Sequence, residues 1–291
     1  MEQITSNVYV ETGNLGSNDS IIVTDQGTVL VDAPHKPTDA ARWRDIVNSF
    51  GEVSYLVHTD HHIDHTLGNF LLPGTVVSHS VTRRRMAENY PSSTYVVDLL
   101  SIIDPEGLAL MPNFSLRLPT ITFDNRMELH LGNVTVELIH LAGHTANSLV
   151  AYLPEQRVLF SGDNVCEAGL PSFQDSRVGS LFQTLDYISS LDFEILVPGH
   201  GEVGTKKTVE SFRDQARNLV GQVQEAARAG VPREEAADRI RFEDRIHTGT
   251  QSYVGYPDNL IEGFQRRSVL SMYDQLTHAE PDLNSKREAE K

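Results

Sequence analysis

The chain has 291 residues, of which 39% are hydrophobic and 22% charged, so it can bury a sizeable core in one large or two small domains. Acidic residues outnumber basic ones by 40 to 24, and the net charge of −16 disfavours a nucleic-acid substrate because it repels phosphate backbones. No apolar run is long enough for a membrane helix, the N-terminus lacks a signal-peptide pattern, and the single cysteine, Cys166, excludes an intrachain disulfide. These features predict a cytoplasmic protein without a membrane partner.

The first part of the chain alternates between strand and helix patterns. Strands are predicted at Asn7–Glu11, at Val53–His58, at Thr75–Ser78, and in a hairpin formed by Ile21–Thr24 and Thr28–Asp32. A helix is predicted from Pro37 to Gly51 and another over Val81–Tyr90. The alternation favours a layered α/β architecture. Residues 80–120 are the least regular part and are interpreted as a cap or lid.

From Ile121 the pattern returns to strands and then becomes helical. The predicted strands are Met127–Leu131, Val134–Leu141, Leu149–Leu153, Val158–Phe160 and Ile195–Val197, with a helix over Ser180–Leu191 before the last of them. Apolar residues then recur at helical spacing from Val209 to Val223, and Gly230 with Pro232 ends that helix. A final helix is predicted over Leu260–Leu276, followed by a polar tail from Glu280.

Histidine and aspartate concentrate in the segment that follows the strand at Val53–His58. Asp60, His62, Asp64 and His65 lie within six residues. A loop at a strand end can direct several such groups into one pocket, whereas a helix would scatter them around its axis. Imidazole and carboxylate together suit zinc, iron or manganese. Their density directly after an apolar strand argues against the alternative of a solvated polar loop.

Three more potential ligands follow predicted strands in the same way. They occur in the segments Gly143-His144-Thr145, Ser161-Gly162-Asp163 and Pro198-Gly199-His200-Gly201. The glycines allow sharp turns that can aim the next side chain at a shared site. Each segment alone is typical of an ordinary turn. Four such segments at strand ends of one chain together indicate a metal site.

The order of these motifs along the chain, together with Asp32 at the end of the predicted hairpin, is that of a known family. Over roughly residues 5–205 the chain resembles the metallo-β-lactamase superfamily of metal-dependent hydrolases. The Pro-Gly-His-Gly form of the last motif resembles the glyoxalase-II-like branch. The resemblance implies an α/β fold, a four-layered αβ/βα sandwich with a C-terminal helical extension. Residues 1–205 would form the catalytic domain, and residues 206–291 would be the extension, packed on the same domain.

The resemblance also implies two zinc ions per chain, with iron or manganese as alternatives, and a hydroxide that bridges them. One metal would be held by Asp60, His62 and His144. The second would be held by Asp64, His65 and His200, and Asp163 would bridge both. Two metals that share one oxygen lower its pKa and supply hydroxide near neutral pH.

Asp60 departs from the family pattern His-x-His-x-Asp-His, which begins with histidine. Three carboxylates and a hydroxide offset the charge of two divalent ions, so the centre is neutral where the usual ligands leave one positive charge. This predicts a less electrophilic first site with more tolerance of harder metals such as manganese. The alternative is a weak first site and an enzyme that works with one tightly bound metal.

Other residues near the motifs have predicted supporting or catalytic roles. Asp64 and His61 are the catalytic candidates; His61 would reach the substrate or shuttle a proton, with an exposed spectator as the alternative. His58 is expected to support the loop, and Asp32 to orient a ligand imidazole. His35 is interpreted as a histidine of a surface loop, with a position lining the groove as the alternative.

The predicted function is a zinc-dependent hydrolase of a small molecule, acting on an ester, lactone, thioester, amide or activated halide. The alternative is a mononuclear non-haem iron enzyme of the sulfur dioxygenase kind, because His62, His144 and Asp163 would also make a two-histidine, one-carboxylate face. Net charge argues against a nuclease, and retention of the other ligands argues against a binding protein that has lost catalysis. The base rate for soluble assemblies favours a homodimer.

Overall fold

Two β-sheets stack face to face in the structure, a computed structural model that describes residues 1–88, 90–112, 114–167, 169–241 and 256–277. The first sheet has seven strands in chain order: β1 (Glu2–Gln3), β2 (Val8–Glu11), β3 (Asp19–Thr24), β4 (Gly27–Val31), β5 (Val53–Val57), β6 (Thr75–His79) and β7 (Ile121–Phe123). Strands β1 to β4 pair antiparallel and β4 to β7 pair parallel. The carboxyl ends of the parallel strands therefore lie at one edge, where the histidine-rich loop after β5 emerges.

The second sheet has five strands in the order β12-β11-β10-β9-β8. Its strands are β8 (Arg126–Leu131), β9 (Val134–His140), β10 (Leu149–Leu153), β11 (Val158–Gly162) and β12 (Ile195–Pro198). Only β11 and β12 pair parallel; the other neighbours are antiparallel. The ends of β11 and β12 therefore place Asp163 and His200 side by side.

Helices lie on the outer faces of the two sheets and in the connections between strands. They are α1 (Pro37–Asn48), α2 (Ile63–Thr66), α3 (Ser80–Glu88), α4 (Ser93–Ile103), α5 (Val178–Ser190), α6 (Lys206–Arg228), α7 (Arg233–Arg239) and α8 (Asp258–Thr277), with 3-10 turns at Leu67–Leu71 and Pro105–Leu110. None of the helices in the described segments is both long and apolar enough to cross a membrane.

Strand β4 shows how alternation builds the layers. Val29 and Val31 belong to the core between the two sheets, where they share a cluster with residues of β9 and β10. Leu30 points the other way and packs with Trp43 of α1. Because successive side chains of a strand face opposite sides, one strand contributes to two cores. The order helix, sheet, sheet, helix confirms the predicted αβ/βα sandwich.

The helices beyond residue 205 share a core with the second sheet. Phe212 of α6 and Met272 of α8 belong to the same buried cluster as Leu185 of α5 and Leu196 of β12. The apolar residues that recur at helical spacing in α6 therefore form the face by which this helix packs into the cluster. Helix α7 was not predicted, because Pro232 was interpreted only as a stop; proline also suits the start of a helix, and here it directly precedes the first turn.

The region interpreted as a cap contains the helix predicted over Val81–Tyr90, observed as α3, and a second helix, α4, that was not predicted. Helix α3 begins at Ser80 and helix α4 extends over Ser93–Ile103, with Ser92 accepting the cap hydrogen bond from the Tyr95 N–H. Val96 and Leu100 of α4 bury their side chains with Leu67 beside the histidine-rich loop. The polar tail predicted from Glu280 lies outside the described residues.

Candidate metal centre

The loop after β5 is held in place by a carboxylate from the neighbouring strand. Asp32 follows β4 with a positive φ of 60°, a conformation that aspartate tolerates better than most residues. One of its oxygens accepts the Thr59 N–H at 2.8 Å and the other accepts the Thr59 hydroxyl at 2.7 Å. The same carboxylate lies 2.9 Å from Nδ1 of His65. Asp32 therefore fixes the start of the loop and orients one imidazole, as predicted.

The first predicted set of ligands is brought together. Asp60, His62 and His144 each offer one atom within 4.8 Å of the others. Nδ1 of His62 lies 3.2 Å from Oδ2 of Asp60 and 3.0 Å from Nε2 of His144. Oδ1 of Asp60 meanwhile accepts the His62 N–H at 2.8 Å. Asp60 therefore lies beside the two imidazoles with one oxygen directed at them.

The second predicted set also converges. Asp64, His65 and His200 form another group within 4.8 Å, and Nε2 of His200 lies 3.3 Å from Oδ2 of Asp64. Asp64 and His65 belong to the short helix α2, while His200 follows β12 of the other sheet. The site therefore lies where the carboxyl-end loops of the two sheets meet.

Asp163 lies between the two groups. Its Oδ2 is 3.5 Å from Nε2 of His144, and its Oδ1 is 3.4 Å from Nε2 of His65 and 3.2 Å from Nε2 of His200. One carboxylate oxygen therefore faces each group. Gly199 makes this possible, because a Cβ there would lie 2.0 Å from Oδ1 of Asp163.

Burial and opposite charges set the protonation of these groups. Burial alone would lower the pKa of His65, but the carboxylates of Asp32 and Asp60 outweigh it and raise that pKa well above the usual value. Burial would raise the pKa of Asp163, but His200 and His65 hold it well below the ordinary range. The carboxylates are therefore ionised, and the site is built to hold positive charge.

The donor set fits divalent metal ions. Oδ2 of Asp60 and Nε2 of His65 are buried and make no hydrogen bond within the described part of the chain. Each nevertheless faces a ligand-type atom, His62 Nδ1 at 3.2 Å and Asp163 Oδ1 at 3.4 Å respectively. A buried polar atom without a partner is costly, and a shared cation satisfies several such atoms at once. Imidazole nitrogen with carboxylate oxygen is the chemistry of zinc, iron and manganese sites.

A cavity of about 600 Å³ opens onto the two groups. Its polar floor includes His62, Asp64, His144 and Asp163. Its walls come from the segment between α3 and α4, from the loop before α5, and from α8. The volume lies in the range of cavities that bind small molecules.

Comparison with known proteins agrees with this geometry. Residues 12–200 match the sequence model of the metallo-beta-lactamase superfamily. The chain belongs to this superfamily. The matched segment begins just after β2 and ends at His200, so it contains every predicted metal ligand.

Individual members of the superfamily resemble the chain at low identity. A linear primary-alkylsulfatase of Pseudomonas sp. is 23% identical over 169 residues, which is 53% of this chain and 30% of that protein. The chain thus spans about a third of that relative's length. A metallo-beta-lactamase from Pontibacter korlensis has a TM-score of 0.61 at 22% identity, covering 75% of this chain and 98% of that one. A sec-alkylsulfatase from Pseudomonas sp. has a TM-score of 0.69 at 14% identity, covering 98% and 51%. The two structural likenesses establish the fold.

The remaining histidines near the loop differ in position: His58 supports the loop, His61 lines the cavity, and His35 is buried. His58 is fully buried and its Nε2 lies 3.0 Å from the side-chain amide of Asn69, in keeping with the predicted support role. His61 lines the cavity, its ring centroid 4.6 Å from that of His62. The interpretation of His35 as a surface residue was wrong: it is buried, its Nδ1 lies 2.6 Å from the Tyr256 hydroxyl, and burial lowers its pKa to about 4.

Asn164, the residue after Asp163, supports the histidine from the second sheet. Its buried side-chain oxygen accepts the His144 N–H at 3.0 Å, and its amide donates to the Leu141 carbonyl at 2.9 Å. Both ends of the amide are therefore occupied by the loop that carries His144.

Sequence reasoning missed Asp175. Its Oδ2 lies 3.4 Å from Nε2 of His62, opposite the ring atom that faces Asp60. Asp175 also forms a third potential group of ligands with His61 and His62. The hydrogen bond to His62 and its charge lower the pKa of Asp175. No motif surrounds Asp175 in the sequence, and only the fold places its loop over the histidine-rich segment.

Replacement of Asp175 by asparagine is expected to weaken metal binding at the first group by about tenfold or more, because a carboxylate behind a ligand imidazole fixes its orientation and raises its basicity. Competition with a chromophoric chelator would measure the affinity. Asp192→Asn, on an exposed surface, is the control that should leave it unchanged. Equal affinities for both variants would contradict the assigned role of Asp175.

Proposed function

We propose that the chain is a dinuclear zinc hydrolase that acts on a small-molecule ester, lactone, thioester, amide or activated halide. The position of Asp163 carries this proposal, since each of its oxygens faces one group of ligands. A carboxylate placed in this way is suited to hold two metal ions at a shared site. Membership of a superfamily rich in hydrolases supports the same reaction class.

In this proposal the ions, when bound, supply a hydroxide nucleophile near neutral pH and polarise the bond to be cleaved. Asp60, His62 and His144 would hold one ion, and Asp64, His65 and His200 the other. Part of this set is held in place by the protein itself, because Asp32 fixes the start of the loop and the His65 imidazole, and the Asn164 side chain holds the backbone of His144. Groups that are already in place need little rearrangement during the reaction, and this favours catalysis.

His61 is proposed to contact the substrate, since it lines the cavity next to His62. The residues of α8 and of the segment between α3 and α4 would exclude water from the other side of the cavity. The acidic net charge supports a small molecule over a nucleic acid, and the single buried cysteine supports a reducing, cytoplasmic location.

The first experiment is elemental mass spectrometry of the purified protein against its concentration. We expect close to two zinc ions per chain, and hydrolysis of at least one class in a panel of lactones, esters, thioesters and activated halides. Close to one iron per chain, with oxygen consumption, would overturn the proposal in favour of a redox enzyme. One zinc per chain would contradict the dinuclear mechanism.

Asp60→His tests how the unusual carboxylate tunes the centre. Loss of one negative charge beside the ions makes the site more electropositive, so an acidic group that titrates within it loses its proton at lower pH. We expect the acidic limb of the pH–rate profile to move to lower pH by about one unit. We also expect the variant to bind zinc in preference to manganese. Asp60→Asn removes the charge but keeps a side-chain oxygen that can accept the His62 N–H, so it separates the effect of the charge from that of the hydrogen bond. An unchanged profile and metal content in both variants would refute the charge argument.

A further inference from the structure

Helix α8 contributes one face to the cavity wall. Leu260, Phe264 and Arg267 recur at helical spacing and all line the cavity. The helix is tied to the loop before α5, because Oγ of Ser268 accepts the Phe173 N–H at 2.8 Å. The wall is therefore positioned relative to the metal-binding residues and not merely adjacent to them.

Arg267 is the only lysine or arginine among the residues that line the cavity in the described part of the chain. Its neighbour Arg266 forms ion pairs with Glu234 and Asp238. Arg267 has no carboxylate within 4.0 Å among the described residues, and its Nε donates to Oε1 of Gln174 at 2.7 Å. A cavity arginine that pairs with none of the described carboxylates, in a chain with 40 acidic residues, is available to an anion from outside.

The guanidinium is also oriented. Its carbon lies 5.0 Å from the centroid of the Phe264 ring, and Gln174 fixes its Nε. Gly263 leaves space beside it, since a Cβ there would lie 3.0 Å from Nη1. Its two terminal NH₂ groups donate to no described residue and make a planar fork, the geometry that matches the two oxygens of an anionic group.

A chain of polar contacts connects this fork to the first ligand group. Gln174, which accepts from Arg267, lies with its amide nitrogen 3.4 Å from Oδ2 of Asp175, and the same oxygen lies 3.4 Å from His62. Two side chains therefore separate Arg267 from a predicted metal ligand. Much of the remaining cavity wall is apolar, with Tyr90, Tyr95, Ile261 and Leu260 among its residues.

We infer that the substrate is an amphiphilic anion, in which a hydrocarbon or aromatic body joins the scissile bond to a distal carboxylate or other oxyanion held by Arg267. The inference rests on the proposed hydrolase function and deepens it. The apolar wall would take the body, the ligand groups would take the scissile bond, and the guanidinium fork would take the charge. A single fork suits one anionic group.

The test uses mono-4-nitrophenyl esters of adipic, suberic and sebacic acid, each compared with the uncharged 4-nitrophenyl ester of the matching monocarboxylic acid. On the zinc-loaded enzyme we expect kcat/KM to favour the anionic ester of one length by about ten- to a hundredfold, the usual range for a charged hydrogen bond. In Arg267→Met this ratio is expected to fall to about one. Arg267→Lys keeps the charge without the fork and should be intermediate.

Arg266→Met is the matched control, because it removes the adjacent arginine of the same helix, which pairs with surface acids. It should retain the wild-type preference. Equal rates for anionic and uncharged esters in the wild type, or a preference that survives in Arg267→Met, would overturn the inference while leaving the hydrolase proposal intact.

Failure of every ester, with zinc bound, would instead count against the proposed ester hydrolysis. The inference is then decided at equilibrium by calorimetric titration of octanoate and octanamide into the zinc-loaded variants. Tighter binding of octanoate that is lost in Arg267→Met and kept in Arg266→Met supports the anion site. Octanoate binding of equal strength in both variants overturns it, because the carboxylate would then bind elsewhere.

Discussion

Asp163→Asn is expected to lower kcat/KM by about a thousandfold and to reduce bound metal to one ion per chain or fewer. The carboxylate faces both ligand groups, with distances of 3.5 Å to His144 and 3.2 Å to His200. An amide has the same shape, but it lacks the charge and presents only one acceptor oxygen. Stabilisation of several kcal/mol by a metal centre corresponds to rate effects of this size. Elemental mass spectrometry and steady-state kinetics with the best substrate of the panel would measure both quantities.

The control for this variant is Asp214→Asn, which changes an exposed aspartate of α6. Its metal content and activity should match those of the wild type. If Asp163→Asn kept two ions per chain and most of its activity, the bridging role would be wrong, and the two groups would have to act independently.

Gly199→Ala is expected to have the second largest effect, although it introduces only a methyl group. The added Cβ would lie 2.0 Å from Oδ1 of Asp163 and 2.7 Å from backbone atoms of residues 162 and 163. Either the carboxylate or the backbone must move. We expect loss of about a hundredfold in kcat/KM, weaker metal binding, and destabilisation by about 1–3 kcal/mol from overpacking. Thermal unfolding with and without chelator would separate the loss of metal from the loss of packing.

Gly221→Ala, the same substitution at another glycine, is expected to have the opposite effect on stability. A Cβ at this position in α6 meets nothing within 4 Å among the described atoms. Alanine should therefore stabilise the helix by about 0.5–1 kcal/mol and leave activity unchanged. If Gly199→Ala behaved like Gly221→Ala, the close approach of Gly199 to Asp163 would have no functional meaning.

The predicted ligands were accessible to sequence analysis because each follows an apolar strand and is flanked by turn residues. Strand ends in layered α/β folds collect at one edge, so Asp60, His144, Asp163 and His200 could be grouped without knowledge of their distances. The support role of Asp32 could be predicted for the same reason. Asp175 and Arg267 could not, because the first lies in a loop without a motif and the second on a helix whose partner face the sequence does not specify.

Errors in the sequence interpretation have the same origin. His35 lies in a proline-flanked loop, which is typical of a surface, yet its contact with Tyr256 comes from a residue 221 positions away. Helix α7 begins directly after a proline that was interpreted as a stop, since a proline can precede a helix as well as end one. Both outcomes depend on what the segment packs against.

The sequence by itself determined the layered α/β class, the strand ends that carry histidine and aspartate, and the periodic face of α6. These features follow from local periodicity and residue chemistry, which act over a few positions. Only the tertiary structure decided that Asp163 faces both ligand groups, that Gly199 makes room for it, and that α8 brings to the cavity an arginine with no acidic partner among the described residues. Such features depend on contacts between segments far apart in the chain, and no local pattern fixes the distance between them.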